Sequence, residues 1–191
     1  MSDLITEMQK KLEAAMDENN PYSYADFVSE FSTHTNDSLT DFKIQLKFVN
    51  TSNNPDPEYA TEGSAGFDLR ANLEKPLILK AGERALIPTG LFFEIPNNFE
   101  IQVRPRSGLA LKNGITVLNS PGTVDSDYRG EVCVILVNLS QVDFQIEHGE
   151  RIAQAIVATV SSKSIIELKR VENITTDTER GNGGFGSTGI K

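Results

Sequence analysis

The sequence predicts an all-β protein, an antiparallel jelly-roll or distorted β-barrel domain with a short helical N-terminal extension. Three observations carry that expectation. Short apolar or alternating runs of strand length recur from residue 42 to residue 171. Turn signals separate them, among them Ala81-Gly82-Glu83, Pro96-Asn97-Asn98 and His148-Gly149-Glu150. No crossover helix is evident between them, so the strands are expected to pair antiparallel. At 191 residues the chain has room for one such domain with a sizeable core and an appendage. The expected division is residues 1–41 for the extension and linker, 42–174 for the β domain and 175–191 for a mobile glycine-rich C-terminal arm.

In chain order, Leu4, Ile5, Met8, Leu12, Ala15 and Met16 recur at helical spacing until Asn19-Asn20-Pro21 stops the pattern. A second helix is expected from Ser23, whose spacing to Asp26 resembles a capping box, with Tyr24, Phe27, Val28 and Phe31 as its stripe. The segment Ser32 to Asp41 reads as a linker. These stripes fit either docking on the domain or recruitment of a partner protein. From Phe42 the period falls to two, with Phe42, Ile44, Leu46 and Phe48 alternating with Lys43, Gln45 and Lys47. Further strand runs are expected at 76–80, 84–95, 99–103, 115–118, 131–137, 142–146, 151–160 and 164–171. The tail Thr175 to Lys191 holds too many glycines to join a core.

Composition narrows the function. Hydrophobic residues at 38% and charged residues at 24% describe a globular chain, and no run approaches the ~18 apolar residues of a membrane helix. Met1-Ser2-Asp3 opens without a basic patch or apolar block, so the expected compartment is the cytoplasm. The net charge of -9 repels polyanions and argues against a nucleic-acid surface. Nine acids against three lysines in residues 1–43 leave the remainder nearly balanced, which allows a local anion site. Cys133, in the apolar run Val132 to Val137, is expected to be a small buried thiol.

The stretch Arg104 to Val132 holds more reactive side chains than any comparable window. Arg106-Ser107-Gly108 offers guanidinium donors, a hydroxyl and an approachable backbone, which suit phosphate oxygens or simply end a strand. Ser107 lacks the partners of a nucleophile, since only His34 and His148 are available as bases. Carboxylates remain. In Asp125-Ser126-Asp127-Tyr128 one aspartate can satisfy a turn while the other orients and deprotonates a water. In the tail, Gly181, Gly183 and Gly186 satisfy G-x-G-x-x-G, but five residues after Gly186 cannot form the helix a dinucleotide site requires. Its exposed N–H groups, Arg180, Ser187 and Thr188 suit an anion, and Phe185 suits a planar base.

Five segments then carry a family resemblance. Ala65-Gly66-Phe67-Asp68-Leu69, Arg106-Ser107-Gly108-Leu109-Ala110, Gly122 through Glu131, Gly149-Glu150-Arg151-Ile152-Ala153-Gln154 and Arg180 through Gly189 resemble, in order and spacing, the five motifs of the trimeric dUTPases. The resemblance covers roughly Phe42 to Lys191, with Phe67 where tyrosine is common. It implies a homotrimer of jelly-roll subunits with shared active sites that hydrolyses dUTP to dUMP and pyrophosphate, limiting uracil incorporation into DNA and supplying dUMP for dTMP synthesis.

The resemblance also implies residue roles. Asp125 would hold the 3'-hydroxyl and activate the attacking water, Tyr128 would pack beneath the sugar and exclude a 2'-hydroxyl, and Asn119 would read the uracil edge. Thr123 and Val124 would line the same pocket. Arg106, Ser107, Gly108 and Gln154 would contact phosphates; Arg180, Ser187 and Thr188 would close on the γ end, and Phe185, next to Gly186, would stack on uracil. Mg²⁺ would be chelated mainly by the triphosphate, with Asp68 reaching it through water or else fixing the turn after Gly66. Arg151 would support its neighbours. The related dCTP deaminases, and a nucleotide-sensing interaction protein, are the alternatives.

Overall fold

Alternation in the sequence becomes alternation in burial. In β2 (Phe67–Arg70) Phe67 and Leu69 are buried while Asp68 and Arg70 face partly outward; in β6 (Phe99–Arg104) Ile101 and Val103 are buried between partly exposed neighbours. Such half-wet strands are what antiparallel sheets with one packed face produce. The structure, a computed structural model, describes residue 11 and residues 45–161, 166–175 and 177–183. The chain divides into two units, Met1–Leu46 and Lys47–Lys191. In the first, Lys11 is helical and Gln45 and Leu46 are irregular. The rest of the helices expected over 4–16 and 23–31, the linker and the start of the strand expected from Phe42 lie outside the described residues.

Among its described residues the second unit is all-β apart from one short helix. Besides β2 and β6 its strands are β1 (Lys47–Asn50), β3 (Leu77–Leu79), β4 (Arg84–Pro88), β5 (Leu91–Glu94), β7 (Ile115–Val117), β8 (Gly122–Val124), β9 (Cys133–Asn138), β10 (Phe144–Ile146) and β11 (Arg151–Thr159). They pair as four open sheets: β1-β5, β10-β3, β2-β11-β6-β8 and β4-β9-β7. Every pairing among them is antiparallel. The jelly-roll expectation stands, and no described sheet closes on itself as a barrel.

The core draws on every sheet except the exposed face of β1. Leu69, Leu79, Ile87, Ile101, Val134, Leu136, Ile146 and Ile152 are almost wholly buried. Each fully buried aliphatic side chain of this kind contributes about 1.5–3 kcal/mol. Buried Asn138 is satisfied on all sides: its amide nitrogen donates to the Leu79 and Val142 carbonyls at 2.9 and 2.8 Å, and its oxygen accepts from Ser140. At the edge, Lys47 donates to Glu94 at 2.8 Å. That hydrogen bond, then the charge behind it, holds the Glu94 carboxyl below its usual range. The contribution is therefore present at neutral pH and is lost as pH falls through the lowered value.

Four features depart from the expectation. The run 84–95 splits into β4 and β5 at Thr89-Gly90, where Gly90 has φ 73° and a Cβ would meet Ser52 at 2.7 Å. A helix, α1 (Ser107–Asn113), stands where a strand end was an option; it begins without a side-chain cap and ends on left-handed Gly114. Over 166–171 the expected strand is absent, and these residues are irregular, with Leu168 96% exposed. Cys133 is half-buried rather than buried, and desolvation followed by the nearby Glu131 charge pushes its thiol pKa up, so it stays protonated.

Candidate active site

The four-stranded sheet positions one group of predicted site residues at the C-terminal end of β6 and carries the loop holding Asp125 and Tyr128 toward its N-terminal end. At its C-terminal end, β11 runs between β2 and β6, and Gln154 pairs with Asp68 on one side and Arg104 on the other. That register brings segments far apart in sequence into contact. Arg106 donates through Nε to Asp68 Oδ1 at 2.8 Å and through Nη1 to the Arg151 carbonyl at 3.2 Å. Arg151 Nη1 donates to the other oxygen, Asp68 Oδ2, at 3.3 Å. Gln154 donates to the Pro105 carbonyl at 2.9 Å, tying down the residue before Arg106. Both arginines are thus aimed by one carboxylate, at a site where their side chains remain partly exposed. Ser107 and Gly108 open α1 beside them and are exposed.

Asp68 enters this cluster because Gly66 lets β2 approach β11 closely: a Cβ there would lie 2.5 Å from the Ala155 carbonyl oxygen. Asp68 lies in strand β2 and is engaged by arginines, so the alternative in which it fixes a turn is set aside. A cavity of about 110 Å³ opens beside Asp68 and Arg151, walled also by Asn54, Asp56 and Arg70. It has room for several waters. Among the described residues no group of three or more acidic, histidine or cysteine side chains is arranged to hold a metal. With both oxygens of Asp68 taken by guanidiniums, these residues do not fit direct ligation of a resident cation.

The second group hangs from β8, the sheet's edge strand. Gly122, Thr123 and Val124 pair with Val103, Gln102 and Ile101. Because that pairing is antiparallel, the chain past Val124 travels toward the N-terminal end of β6, away from Arg106. About 20 Å of extended chain separates position 100 from position 106. Asn119 is exposed and lies over Gly122, where a Cβ would approach its amide nitrogen to 2.9 Å. Thr123 is exposed and Val124 half-buried, on a strand whose outer edge has no strand partner among the described residues.

Asp125 and Tyr128 follow in a tight loop. Tyr128 N donates to the Asp125 carbonyl at 3.1 Å. Arg129 Nη1 donates to the carbonyls of Ser126 and Tyr128 at 2.7 and 2.9 Å. Among the described residues the turn is therefore closed by backbone and by a guanidinium; the aspartate side chain that could have satisfied it makes no such bond. Among the described residues nothing hydrogen-bonds the Asp125 carboxylate, which is exposed. Tyr128 is 47% exposed, and its hydroxyl donates to the Glu131 carbonyl at 3.1 Å. Glu131, unassigned in the sequence reading, ties the loop to the body: its Oε1 accepts from Gly90 N at 2.6 Å. Thr89 Oγ1 reinforces the joint with a 2.5 Å bond to the Val132 carbonyl. The only sequence signal for this anchor is a carboxylate set between a glycine and an apolar strand.

In the tail, Arg180 is exposed and donates to the Gly183 carbonyl at 2.9 Å within a local turn, with Gly181 at φ 53°. Phe185, Gly186, Ser187 and Thr188 lie outside the described residues.

Comparison with known proteins accords with this layout. The family model described as dUTPase matches residues 52–189. A deoxyuridine 5'-triphosphate nucleotidohydrolase of Treponema denticola is 61% identical over 134 residues, covering 70% of this chain and 90% of its own. The enzyme of the same name from Caulobacter vibrioides is 56% identical over 138 residues, covering 71% and 86%. Among solved structures, the dUTPase of Staphylococcus bacteriophage 80alpha with dUPNHPP superposes with a TM-score of 0.67 at 26% identity, covering 78% of this chain and all of that one. With the ordered segments, the sheet that carries them and relatives matched over most of their length, the chain belongs to the dUTPase family.

Proposed function

We propose that the protein is a dUTP diphosphatase that hydrolyses Mg²⁺-bound dUTP to dUMP and pyrophosphate. The observation that carries this reading is the contrast between a carboxylate just past the sheet with no hydrogen-bond partner among the described residues, Asp125, and a carboxylate given to aiming two arginines, Asp68. Water attacks the α-phosphorus as Asp125 accepts its proton; the new P–O bond forms as the bond to the bridging oxygen breaks and pyrophosphate leaves. General-base assistance of this kind contributes ~10²–10⁴-fold. Asp125 also holds the 3'-hydroxyl. Tyr128 offers its exposed ring face to the sugar and leaves no volume for a 2'-hydroxyl.

Asn119 and the free edge of β8, including Thr123 and Val124, complement the uracil edge with amide and main-chain groups. Cytosine reverses a donor and acceptor there, and an unmatched buried pair costs ~1–3 kcal/mol. Arg106, Ser107, Gly108 and Gln154 receive phosphates; Arg180, Ser187 and Thr188 close on the γ end, and Phe185 with Gly186 covers the base. The metal arrives as part of the substrate, chelated by the triphosphate, and any link to Asp68 runs through water in the adjoining cavity.

The active unit is a homotrimer. The separation of Asp125 and Tyr128 from Arg106 supports a site assembled from different subunits, and the exposed apolar residues Ile166, Leu168, Val171 and Ile174 support a further chain as their partner. The enzyme acts in the cytoplasm on the deoxynucleotide pool, lowering dUTP available to DNA synthesis and supplying dUMP. No helix among the described residues is long and apolar enough to cross a membrane.

Pyrophosphate and ammonia release measured across the deoxynucleoside triphosphates with Mg²⁺ tests the reading. Pyrophosphate from dUTP in strong preference to dCTP and dTTP is expected. Ammonia released from dCTP would move the chain to the deaminases.

A further inference from the structure

We propose that Gly130 is a positioning residue for deoxyribose selectivity, because it seats the Tyr128 ring; this rests on the dUTP diphosphatase reading. A Cβ at position 130 would lie 2.5 Å from Cζ and 3.0 Å from Cε2 of Tyr128, and closer still to its hydroxyl oxygen. These three atoms are the nearest it would meet, so the space that glycine leaves empty is filled by that one ring. The backbone does not demand glycine here. Gly130 is absent from the left-handed glycines, which are Gly82, Gly90, Gly114, Gly149 and Gly181 among the described residues.

The loop on either side is fixed. Arg129 clamps the Ser126 and Tyr128 carbonyls, Glu131 accepts from Gly90 N at 2.6 Å, and Val132 N donates to the Leu91 carbonyl at 2.8 Å. The ring, half-exposed and held at its far end by one hydrogen bond to the Glu131 carbonyl, is the part that yields. A methyl group at 130 therefore pushes the ring off its seat and breaks the hydroxyl contact. The position of the ring, and with it the volume denied to a 2'-hydroxyl, is set two residues downstream of the tyrosine.

The test is a double-mutant cycle on the full-length protein, with kcat and KM for dUTP and UTP measured for the wild type, Gly130→Ala, Tyr128→Ala and the double variant. Gly130→Ala is expected to lower the dUTP-over-UTP ratio of kcat/KM by roughly tenfold or more, the scale of a misfitted pocket group. It is expected to add nothing in the Tyr128→Ala background, where no ring remains to displace. An unchanged ratio, or the same loss in both backgrounds, would overturn the proposal. Should Gly130→Ala fail to fold, the double variant is expected to regain the melting temperature of Tyr128→Ala, and persistent unfolding would show that glycine serves the backbone instead. A wild type inert toward dUTP would instead refute the functional reading beneath it.

Discussion

The two ends of β6 hold their side chains by different means. At the C-terminal end Asp68, Arg106 and Arg151 are locked by contacts spanning 38, 45 and 83 residues of sequence, which join β2, β11 and the segment after β6. Toward the other end the loop from Asp125 to Glu131 is held mostly by bonds reaching one to three residues, with one anchor to the Gly90 turn. The first arrangement presents charge already oriented, so little reorganisation accompanies anion binding. The second leaves a carboxylate and a ring face unengaged. On the proposed function one end would bind and the other act, which predicts that damage to them separates in KM and kcat.

The largest effect is expected at Asp125. Asp125→Asn should lower kcat by ~10²–10⁴-fold while the affinity for a non-hydrolysable dUTP analogue stays near normal; turnover close to wild type would remove the general base from the mechanism. Truncation before Arg180 comes next. A folded assembly that has lost most of its turnover is expected, checked by size-exclusion chromatography and steady-state kinetics, and full activity would end any role for the arm.

Asp68→Ala should act on the opposite end. Freed of their carboxylate, Arg106 and Arg151 lose charge-assisted bonds of the ~1.5–3 kcal/mol class, so KM should rise by about tenfold or more with a smaller change in kcat. A loss confined to kcat would contradict the contrast drawn between the two ends. The smallest effect is expected from removing residues 1–41, with kcat, KM and assembly state unchanged; dissociation of the proposed trimer on that deletion would assign the extension a structural role.

Strand existence was legible wherever a run had turn residues on both sides, as at β3, β6, β7 and β11. β2 and β8 were legible only as family segments, because Phe67-Asp68-Leu69-Arg70 and Gly122-Thr123-Val124 are too short to show a period. Helix α1 buries none of its residues and leaves Leu111 exposed, so it carries no amphipathic stripe to read. The run 164–171 misled for a related reason: its apolar content meets no partner over the described residues 166–171 of this chain. The chemistry of Asp125 could be argued from its neighbours in sequence. The role of Asp68 as the aligner of two arginines could not, since it depends on the register of β2, β11 and β6.

That register has a genetic consequence. On the proposed trimeric reading, with β8 running against β6, the Asp125 carboxylate and the Arg106 guanidinium of one chain would serve different pockets. Two variants, each inactive alone, one altered at Asp125 and the other at Arg106, should then complement when unfolded, mixed and reassembled, because a mixed trimer would contain a pocket that takes its intact Asp125 from one variant and its intact Arg106 from the other. In a cell carrying both alleles, neither lesion would be fully recessive or fully silent; each would set the fraction of intact pockets according to the abundance of the other.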